Sequence, residues 1–297
     1  MEDIIKIESI PQYCELFGFE SHHPLVEIVE CSEPEKLQRY TINWGFYALY
    51  LKDTATCTIT YGKTKYDHGD QTVLCFSPGQ TTEVENSEYG IPKFVALLFH
   101  PDFILRTPLA QKIKKYSYFS YEANEALHLS KDERIMIYDC LMRIKAEIQH
   151  PIDKFSKDLI VSNIEILLDY CLRFYTRQFI MREDLNTDTL AQFEKLLDDY
   201  ISSGKAADLG FPNVKYFADR VFLSPNYFGD MVKAETGKTA QEYIQMKIAA
   251  EAKVRLLDGI STISEVAYSL GFQQPQHFNR FFKREVGCTP KEFRAKN

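Results

Sequence analysis

The chain has 297 residues, of which 45% are hydrophobic and 26% are charged. These fractions are ordinary for a globular protein, and the length favours two domains with substantial cores. The formal net charge of −7 at pH 7 argues against nucleic-acid binding unless the charge is unevenly distributed along the chain.

Charge distribution and cysteine spacing restrict the class of protein further. Residues 187–297 hold 15 basic and 14 acidic side chains, whereas the residues before them hold 20 and 28, so the acidic excess belongs to the front of the chain. The seven cysteines are scattered without a Cys-x-x-Cys pair, which argues against a zinc site and a disulfide framework. Reduced thiols, no signal-peptide pattern and no run of about twenty apolar residues indicate a cytoplasmic protein.

The front of the chain predicts short β-strands. The β-rich runs are separated by turn residues such as Tyr61-Gly62-Lys63 and Ser77-Pro78-Gly79. They are Leu25–Val29, Trp44–Leu51, Thr56–Tyr61, Thr72–Phe76 and Phe94–Phe99. Several short strands at this spacing predict a β-barrel or sandwich, which we assign to residues 1–120.

Aromatic side chains are frequent on these strands. Trp44, Phe46, Tyr61 and Phe76 are candidates for the lining of a small-molecule pocket. A small barrel either fills its interior with side chains or keeps room for one ligand. Both alternatives stay open, and the residues give no identity for a ligand.

Residues 121–182 predict a helical segment. Ser130 and Glu133 have the spacing of a capping box, and the apolar residues behind them recur at helical spacing. A second helix over Lys154–Ile180 carries two apolar strips. One strip is Ile160, Ile164, Leu167, Cys171 and Tyr175, and the other is Leu159, Ile166, Tyr170 and Phe174. Two strips favour contacts with two neighbours, one of them a partner subunit, and the alternative is burial within one chain.

The charged, Thr-rich stretch Met181–Thr189 predicts a linker. Leu190–Ile201 then predicts the first helix of a C-terminal domain that we assign to residues 187–297. Ser202-Ser203-Gly204 ends that helix, and a loop is expected from there to Asn213.

The C-terminal domain contains an internal repeat with a shift of 50 positions. Phe228–Tyr243 aligned on Phe278–Phe293 matches at seven positions without a gap. The matched pairs are Phe228 and Phe278, Lys233 and Lys283, Glu235 and Glu285, Gly237 and Gly287, Thr239 and Thr289, Glu242 and Glu292, and Tyr243 and Phe293. These matches indicate two copies of one supersecondary unit.

Each copy predicts a helix, a tight turn and a second helix. In the second copy, Thr262 and Glu265 form a capping box, Gly271 can take the turn, and Pro275 suits the first turn of the next helix. In the first copy, Ser224 stands as the N-cap of the second helix. This is the helix-turn-helix arrangement, whose second helix can lie in a DNA major groove. The alternative is a pair of helical hairpins that merely pack together.

The tail resembles the AraC/XylS family of transcriptional regulators, in which one rigid helix joins two helix-turn-helix units. The residues that carry the resemblance are Ile263–Ala267, Gly271-Phe272, Phe278, Arg280, Phe282-Lys283, Gly287, Thr289-Pro290 and Phe293-Arg294. The resemblance implies a joining helix over Ala240–Leu257, opened by a capping box of Thr239 and Glu242. At about 1.5 Å per residue it is ~27 Å long. It would hold the reading helices about one duplex turn apart, a spacing of ~34 Å.

The residues that would contact DNA are those expected to face outward from, or to flank, the second helix of each unit. In the first unit they are Ser224, Asn226, Tyr227, Asp230 and Lys233, and in the second unit Gln274, Gln276, His277, Asn279, Arg280, Lys283 and Arg284. Gln and Asn can pair with adenine edges, Arg with guanine, and Lys with phosphate. Asp230 stands where the second copy has Arg280, so the first helix either reads a cytosine or contributes weakly, and we favour the weak contribution.

Charge supports this asymmetry between the two units. Residues 271–297 contain six basic and two acidic side chains, a net charge of +4, whereas residues 211–236 contain three of each, a net charge of 0. Because phosphate attraction dominates affinity for a duplex, the second unit is expected to supply most of the affinity for DNA.

The front domain contains Gly69-Asp70, then an apolar strand, then Pro78-Gly79. In this order it loosely resembles the cupin-like sensor barrel found before many AraC-type tails. Enzymatic cupins carry a His-x-His pair, a Glu and a later His. The candidates here are His68, Glu83, Glu85 and His100, without a His-x-His pair. His100 stands at a strand-to-helix junction, where capping or core packing is favoured over metal ligation. We therefore expect no metal, no cofactor and no catalytic residue.

These patterns predict an α+β protein with a cupin-like β-barrel sensor over residues 1–120, a helical dimerisation segment over 121–182, and an all-α tandem helix-turn-helix domain over 187–297. The expected function is a sequence-specific, DNA-binding transcriptional regulator. It is expected to be a cytoplasmic homodimer, modulated by a small molecule or partner at the barrel, acting on double-stranded DNA and the transcription machinery, with no membrane contact. The alternatives are a ligand-independent DNA-bound scaffold and a cupin-type metal enzyme with a helical accessory domain.

Overall fold

The structure, a computed structural model, describes residues 4–32, 40–52, 57–61, 64–66, 71–86, 93–122, 125–181, 183–258 and 260–296. For residues 40, 57–61, 64–66, 84–86 and 183–185 it describes the backbone alone. The chain divides into two compact units, Met1–Gln178 and Phe179–Asn297. The finer division into three parts at residues 120 and 182 stays a prediction.

The front unit is built on two five-stranded sheets. Its strands are β1 (Ile4–Ile7), β2 (Val26–Cys31), β3 (Tyr40–Trp44), β4 (Tyr47–Lys52), β5 (Cys57–Tyr61), β6 (Thr64–Tyr66), β7 (Thr72–Phe76), β8 (Thr81–Asn86), β9 (Phe94–Phe99) and β10 (Leu127–His128). The strand orders are β1-β3-β8-β5-β6 and β10-β7-β4-β9-β2. β1 pairs with β3 in parallel, and β4 pairs with β7 and β9 in antiparallel fashion. The mixed helix-and-strand class is confirmed, but the sheets do not close into a barrel over the described residues, so the cupin-like barrel is not confirmed.

The predicted strand Trp44–Leu51 is wrong, because the chain changes sheets within it. It leaves the first sheet at Trp44 and enters the second at Tyr47. Gly45 makes this crossing possible, since its N–H donates to the Ile7 carbonyl at 2.8 Å. A Cβ at Gly45 would lie 2.7 Å from that same oxygen, closer than a real side chain approaches. The glycine therefore permits β1 to pack against the crossing.

The core of the front unit is rich in aromatic rings. Trp44 stacks on Phe76 with ring centroids 5.1 Å apart, and Phe46 meets Trp44 edge-on at 5.8 Å. Tyr13, on helix α1 (Ile10–Phe17), shares a buried hydrogen bond of 2.7 Å with the hydroxyl of Tyr50. Stacked and edge-on rings are both favourable arrangements, so these side chains support one another inside the unit.

The remaining helices that begin in the front unit are α2 (Pro101–Ile104), α3 (Leu109–Lys112), α4 (Lys131–Gln149) and α5 (Ser156–Met181), with two short 3-10 helices at Ile113–Lys115 and Ser117–Ser120. The last three residues of α5 belong to the C-terminal unit. The Ser130 and Glu133 capping box is present at the start of α4, as predicted. Helix α4 packs on β2 and β9 through its predicted apolar face, which is buried.

The two apolar strips of α5 differ in burial. The first strip, Ile160, Ile164, Leu167, Cys171 and Tyr175, is buried as predicted. In the second strip Phe174 is buried, whereas Leu159 and Ile166 are each 47% exposed. The first strip is therefore core, and the second leaves apolar surface on the front unit.

The C-terminal unit contains eight described helices. They are α6 (Glu183–Ser202), α7 (Lys205–Leu209), α8 (Val214–Arg220), α9 (Pro225–Thr236), α10 (Ala240–Leu257), α11 (Ile263–Ser269), α12 (Pro275–Val286) and α13 (Pro290–Lys296). The joining helix α10 has the predicted bounds and its capping box of Thr239 and Glu242 is confirmed.

Two predictions for the start of this unit are wrong. The stretch to Thr189 is helical from Glu183 onward instead of forming a linker, and α6 starts there rather than at Leu190. The Asn186 amide is buried and donates to the Phe179 carbonyl at 2.8 Å, which stabilises this earlier turn. The loop expected between Gly204 and Asn213 contains the short helix α7.

The joining helix α10 is tied to its neighbours by one side chain. Arg255 donates to the Ile201 carbonyl at the end of α6 at 3.0 Å and to the Ser269 hydroxyl at the end of α11 at 2.8 Å. Its Nε also donates to Glu251 one turn earlier, at 2.8 Å. Because hydrogen bonds to a charged donor are stronger than neutral ones, Arg255 fixes α10 against helices on both sides.

Candidate nucleic-acid interface

The two copies of the repeat both fold into a helix-turn-helix unit, and the turn of the second copy is one residue longer. Helix α8 ends at Val221 with φ −97° and ψ 9°, and α11 ends at Leu270 with φ −98° and ψ 7°. The next residue is left-handed in both copies, with φ +58° at Phe222 and +86° at Gly271. The turns are thus alike in conformation at this point although a phenylalanine and a glycine occupy it.

The second helices of the two units have matched C-terminal ends. The N–H of Gly237 closes α9 by donating to the Lys233 carbonyl, and Gly287 closes α12 by donating to Lys283, both at 2.9 Å. Both glycines are left-handed, which costs glycine little. The predicted repeat is therefore present in the backbone as well as in the residues.

A capping box follows each of these glycines. Thr239 with Glu242 forms one, and Thr289 with Glu292 forms the other, through reciprocal bonds of 2.8 and 3.2 Å. The backbone N–H donated to each carboxylate lowers the pKa of Glu242 and of Glu292 below the usual value. The second box was not identified from the sequence as a cap, although the matched pairs of the repeat contained the signal for it.

Helix α12 presents its predicted polar residues to the surface. Phe278, Phe281 and Phe282 are buried, as predicted. The seven predicted DNA-contacting side chains of this unit are exposed: Gln274, Gln276, His277, Asn279, Arg280, Lys283 and Arg284. Gln276, Asn279, Arg280 and Lys283 recur at the spacing of one helix face. They bring together two amide side chains and two cations on one exposed face.

Helix α9 exposes fewer polar side chains than α12. Asn226 and Lys233 are exposed, Asp230 is partly exposed, and the space a Cβ would occupy at Gly229 is open. Ser224 is buried, where its hydroxyl accepts the N–H of Tyr227 at 3.2 Å and caps the helix.

Tyr227 is also buried, with its ring 4.9 Å from that of Phe179. The structure therefore corrects the sequence interpretation for Ser224 and Tyr227, whose side chains serve capping and packing rather than the surface. The remaining predicted residues of α9 are one amide, one carboxylate and one cation.

The candidate ligand residues of the front unit lie in its core. Trp44, Phe46 and Phe76 are buried against one another, and the side chain of Tyr61 lies outside the described residues. Their predicted role in ligand binding stays a prediction.

The candidate metal residues do not converge over the part of the chain that the structure describes. His68 and the side chain of Glu85 lie outside it. His100 caps α2, because its Nδ1 accepts the N–H of Asp102 at 3.2 Å, which confirms the capping role. No group of three or more His, Cys, Asp or Glu side chains is placed to hold a metal ion among the described residues. Among the same residues, no helix combines the length and apolar character needed to cross a membrane.

Two helices that each follow a turn with a left-handed residue and end at a left-handed glycine, joined by one helix, define a tandem helix-turn-helix domain. Residues 217–296 match the family model of a helix-turn-helix domain. The C-terminal domain is of the AraC type, which confirms the family resemblance of the tail.

Relatives of this domain include named regulators. The chain is 35% identical over 96 residues to the uncharacterized transcriptional regulatory protein YesN of Bacillus subtilis, covering 31% of this chain and 26% of that protein. It is 29% identical over 135 residues to the HTH-type transcriptional activator RhaS of Escherichia fergusonii, covering 45% of this chain and 46% of that protein. The chain thus spans between about a quarter and about half of the length of these curated relatives.

A solved structure also resembles the tail. The C-terminal domain of the two-component response regulator yesN from Fusobacterium nucleatum is 28% identical, with a TM-score of 0.30. The match covers 34% of this chain and 96% of that domain.

Proposed function

We propose that the protein is a sequence-specific DNA-binding regulator of transcription. The observation that carries the proposal is the exposed face of α12, where Gln276, Asn279, Arg280 and Lys283 stand on a helix held by a buried aromatic stripe. Amides can read adenine, arginine can read guanine, and lysine can bind phosphate. The regulator names carried by the relatives of this domain support the same function.

The second helix-turn-helix unit is proposed to supply most of the affinity. Besides the face above, α12 and its neighbours carry Gln274, His277 and Arg284 as flanking polar groups. The first unit contributes Asn226 and Lys233 beside the acidic Asp230, whose carboxylate repels phosphate. The net charges of +4 and 0 on the two segments favour the same order.

The front domain is proposed to carry a sensing or assembly role and no catalytic one. The exposed part of the second strip of α5, with Leu159 and Ile166, supports a homodimer in which a second copy covers these side chains. A cupin-like sensing domain over residues 1–120, contacts with the transcription machinery and a cytoplasmic location complete the proposal.

A ligand-independent DNA-bound scaffold is the second candidate function. It is favoured by the mutual packing of Trp44, Phe46 and Phe76, which occupy the interior of the front unit with their own rings. The two candidates differ in one measurement, which is the affinity of the full chain for its duplex with and without small molecules. A ligand screen without any change in affinity favours the scaffold.

The function is tested by selecting duplexes from a random pool with the full chain. The selected duplex and a scrambled one are then titrated by fluorescence anisotropy at several salt concentrations. A specific regulator is expected to prefer its selected duplex by on the order of 10³ or more. Selection of no common sequence, with equal affinity for both duplexes, would overturn the proposal.

Matched variants assign the interaction to α12. Lys283→Ala is expected to reduce the slope of log K against log salt by about 0.9, because one phosphate contact is lost. Lys131→Ala removes an exposed lysine at the start of α4 and serves as the control with no expected change in slope. Equal slopes for the wild type and Lys283→Ala would exclude this lysine from the interface.

A further inference from the structure

A groove opens beside α12 on a face other than the proposed reading face. Its volume is about 540 Å³, within the usual range for small-molecule sites of roughly 300–1,000 Å³. Helix α12 contributes His277, Phe281 and Arg284, which recur at a spacing of four and three residues. These positions follow those of the reading face by one residue, a rotation of about 100° around the helix.

The floor of the groove is aromatic. The rings of Phe211, Phe272 and Phe281 form a closed triad, with centroid distances of 5.0, 5.8 and 5.1 Å. The backbone holds this triad in place where Gly210 and Gly271 cross, since a Cβ on Gly271 would lie 2.5 Å from Gly210. Such a floor favours a flat, apolar ring system as its occupant.

The walls and rim of the groove are polar. Gln241 and Gln245 stand one turn apart on α10, and both line the groove half-buried. Arg284 lies at the rim, with its guanidinium 5.7 Å from the Phe281 ring centroid. Its Nε forms an ion pair with the Glu285 carboxylate at 2.7 Å, a bond that uses one of the five N–H donors of a guanidinium. The rim therefore combines hydrogen-bonding amides with a cation.

We propose that this groove binds a small planar aromatic acid, with the ring system on the phenylalanine floor and the carboxylate at Arg284. The amides of Gln241 and Gln245 hydrogen-bond polar atoms on the edge of the ring system. The ligand site belongs to the C-terminal unit itself and is separate from the aromatic candidates of the front domain. The inference concerns ligand binding alone, so it does not depend on the proposed DNA-binding function.

The probe that tests the site is indole-3-acetate, compared with the uncharged indole-3-acetamide by isothermal titration into the full chain. Saturable binding of the acid with a Kd of about 1 mM or tighter is expected from its size. Arg284→Gln is expected to weaken binding of the acid about tenfold or more, because it removes a charge-assisted hydrogen bond, and to leave the amide nearly unaffected. Gln245→Ala is expected to weaken both probes.

The control lies on the same helix. Lys283→Gln removes an exposed cation that stands about 100° around the helix from Arg284 and does not line the groove, and it is expected to leave probe binding unchanged. Circular dichroism of each variant shows that the helices are retained, so a loss of binding reports on the groove. Two results would overturn the proposal: no saturable binding of the acid to the wild type, or equal weakening by Lys283→Gln and Arg284→Gln.

Discussion

Gly271 is packed so tightly that adding one methyl group should destabilise the C-terminal unit. The loop after α7 crosses the turn of the second helix-turn-helix unit at this residue. A Cβ on Gly271 would lie 2.5 Å from the carbonyl carbon and oxygen of Gly210 and 2.7 Å from the backbone nitrogen of Phe211. These are backbone atoms, which cannot move aside by rotating a side-chain torsion.

The magnitude follows from two separate costs. A left-handed φ, here +86°, costs an L-residue with a side chain about 1–2 kcal/mol. Forcing an added carbon into packed surroundings typically costs about 1–3 kcal/mol more. Gly271→Ala is therefore expected to lower the free energy of unfolding of the C-terminal unit by about 2–5 kcal/mol.

The repeat supplies the control. Gly287 has the nearly identical φ of +87°, but nothing lies within 4 Å of a Cβ placed on it. Gly287→Ala should thus show the conformational cost alone, about 1–2 kcal/mol. Urea unfolding followed by circular dichroism measures both variants, and hydrogen exchange of peptides from α11 and α12 separates this unit from the front one. Equal destabilisation by the two substitutions would refute the steric argument.

Three further predictions concern the two helix-turn-helix units. Phe222→Gly should raise the free energy of unfolding by about 0.5–1 kcal/mol, because Phe222 is strained at φ +58° and 74% exposed; a lower urea midpoint would contradict this. Arg280→Ala should weaken binding to the selected duplex by about 1–3 kcal/mol and relax specificity at one base pair, with an unchanged Kd as the opposing outcome. Asp230→Arg should tighten duplex binding and increase the salt slope by about 0.9, measured by anisotropy, and weaker binding would show that Asp230 reads a base.

The C-terminal domain could be predicted closely because its signals are local. A cap, a turn residue and an apolar stripe lie within a few positions of one another, as at Thr262 and Glu265 or at Pro275. The burial of Tyr227 could also be predicted from the sequence. Tyr227, Phe228, Met231 and Val232 are two adjacent pairs one helical turn apart, and all four are buried. The sequence interpretation nevertheless placed Tyr227 among the residues that would contact DNA.

The front domain could not be predicted to the same depth because its pairing is non-local. Strand β1 pairs with β3 so that Ile4 faces Thr41, and no pattern near Ile4 specifies that partner. The break in the strand predicted from Trp44 depends on the approach of Ile7 to Gly45. The alternation of apolar and polar residues along the chain does not indicate this contact. Strand periodicity therefore located β2, β5, β7 and β9, but it missed β1, β6 and β8 and could not decide between one closed barrel and two sheets.

The two copies of the repeat share their buried residues but differ in the charge of their surface residues. Phe228 and Phe278 occupy equivalent buried positions, as do Val232 and Phe282, so the core of both units is apolar in both copies. The neighbouring surface positions differ in charge, with Asp230 against Arg280. Packing alone does not require this difference, because either side chain is compatible with an exposed helix position. If both units bound DNA alike, phosphate attraction would favour a cation in each. The divergence therefore supports the proposal of unequal roles on the duplex, for which loss of the α12 cations is expected to abolish most of the affinity and loss of Lys233 to remove little.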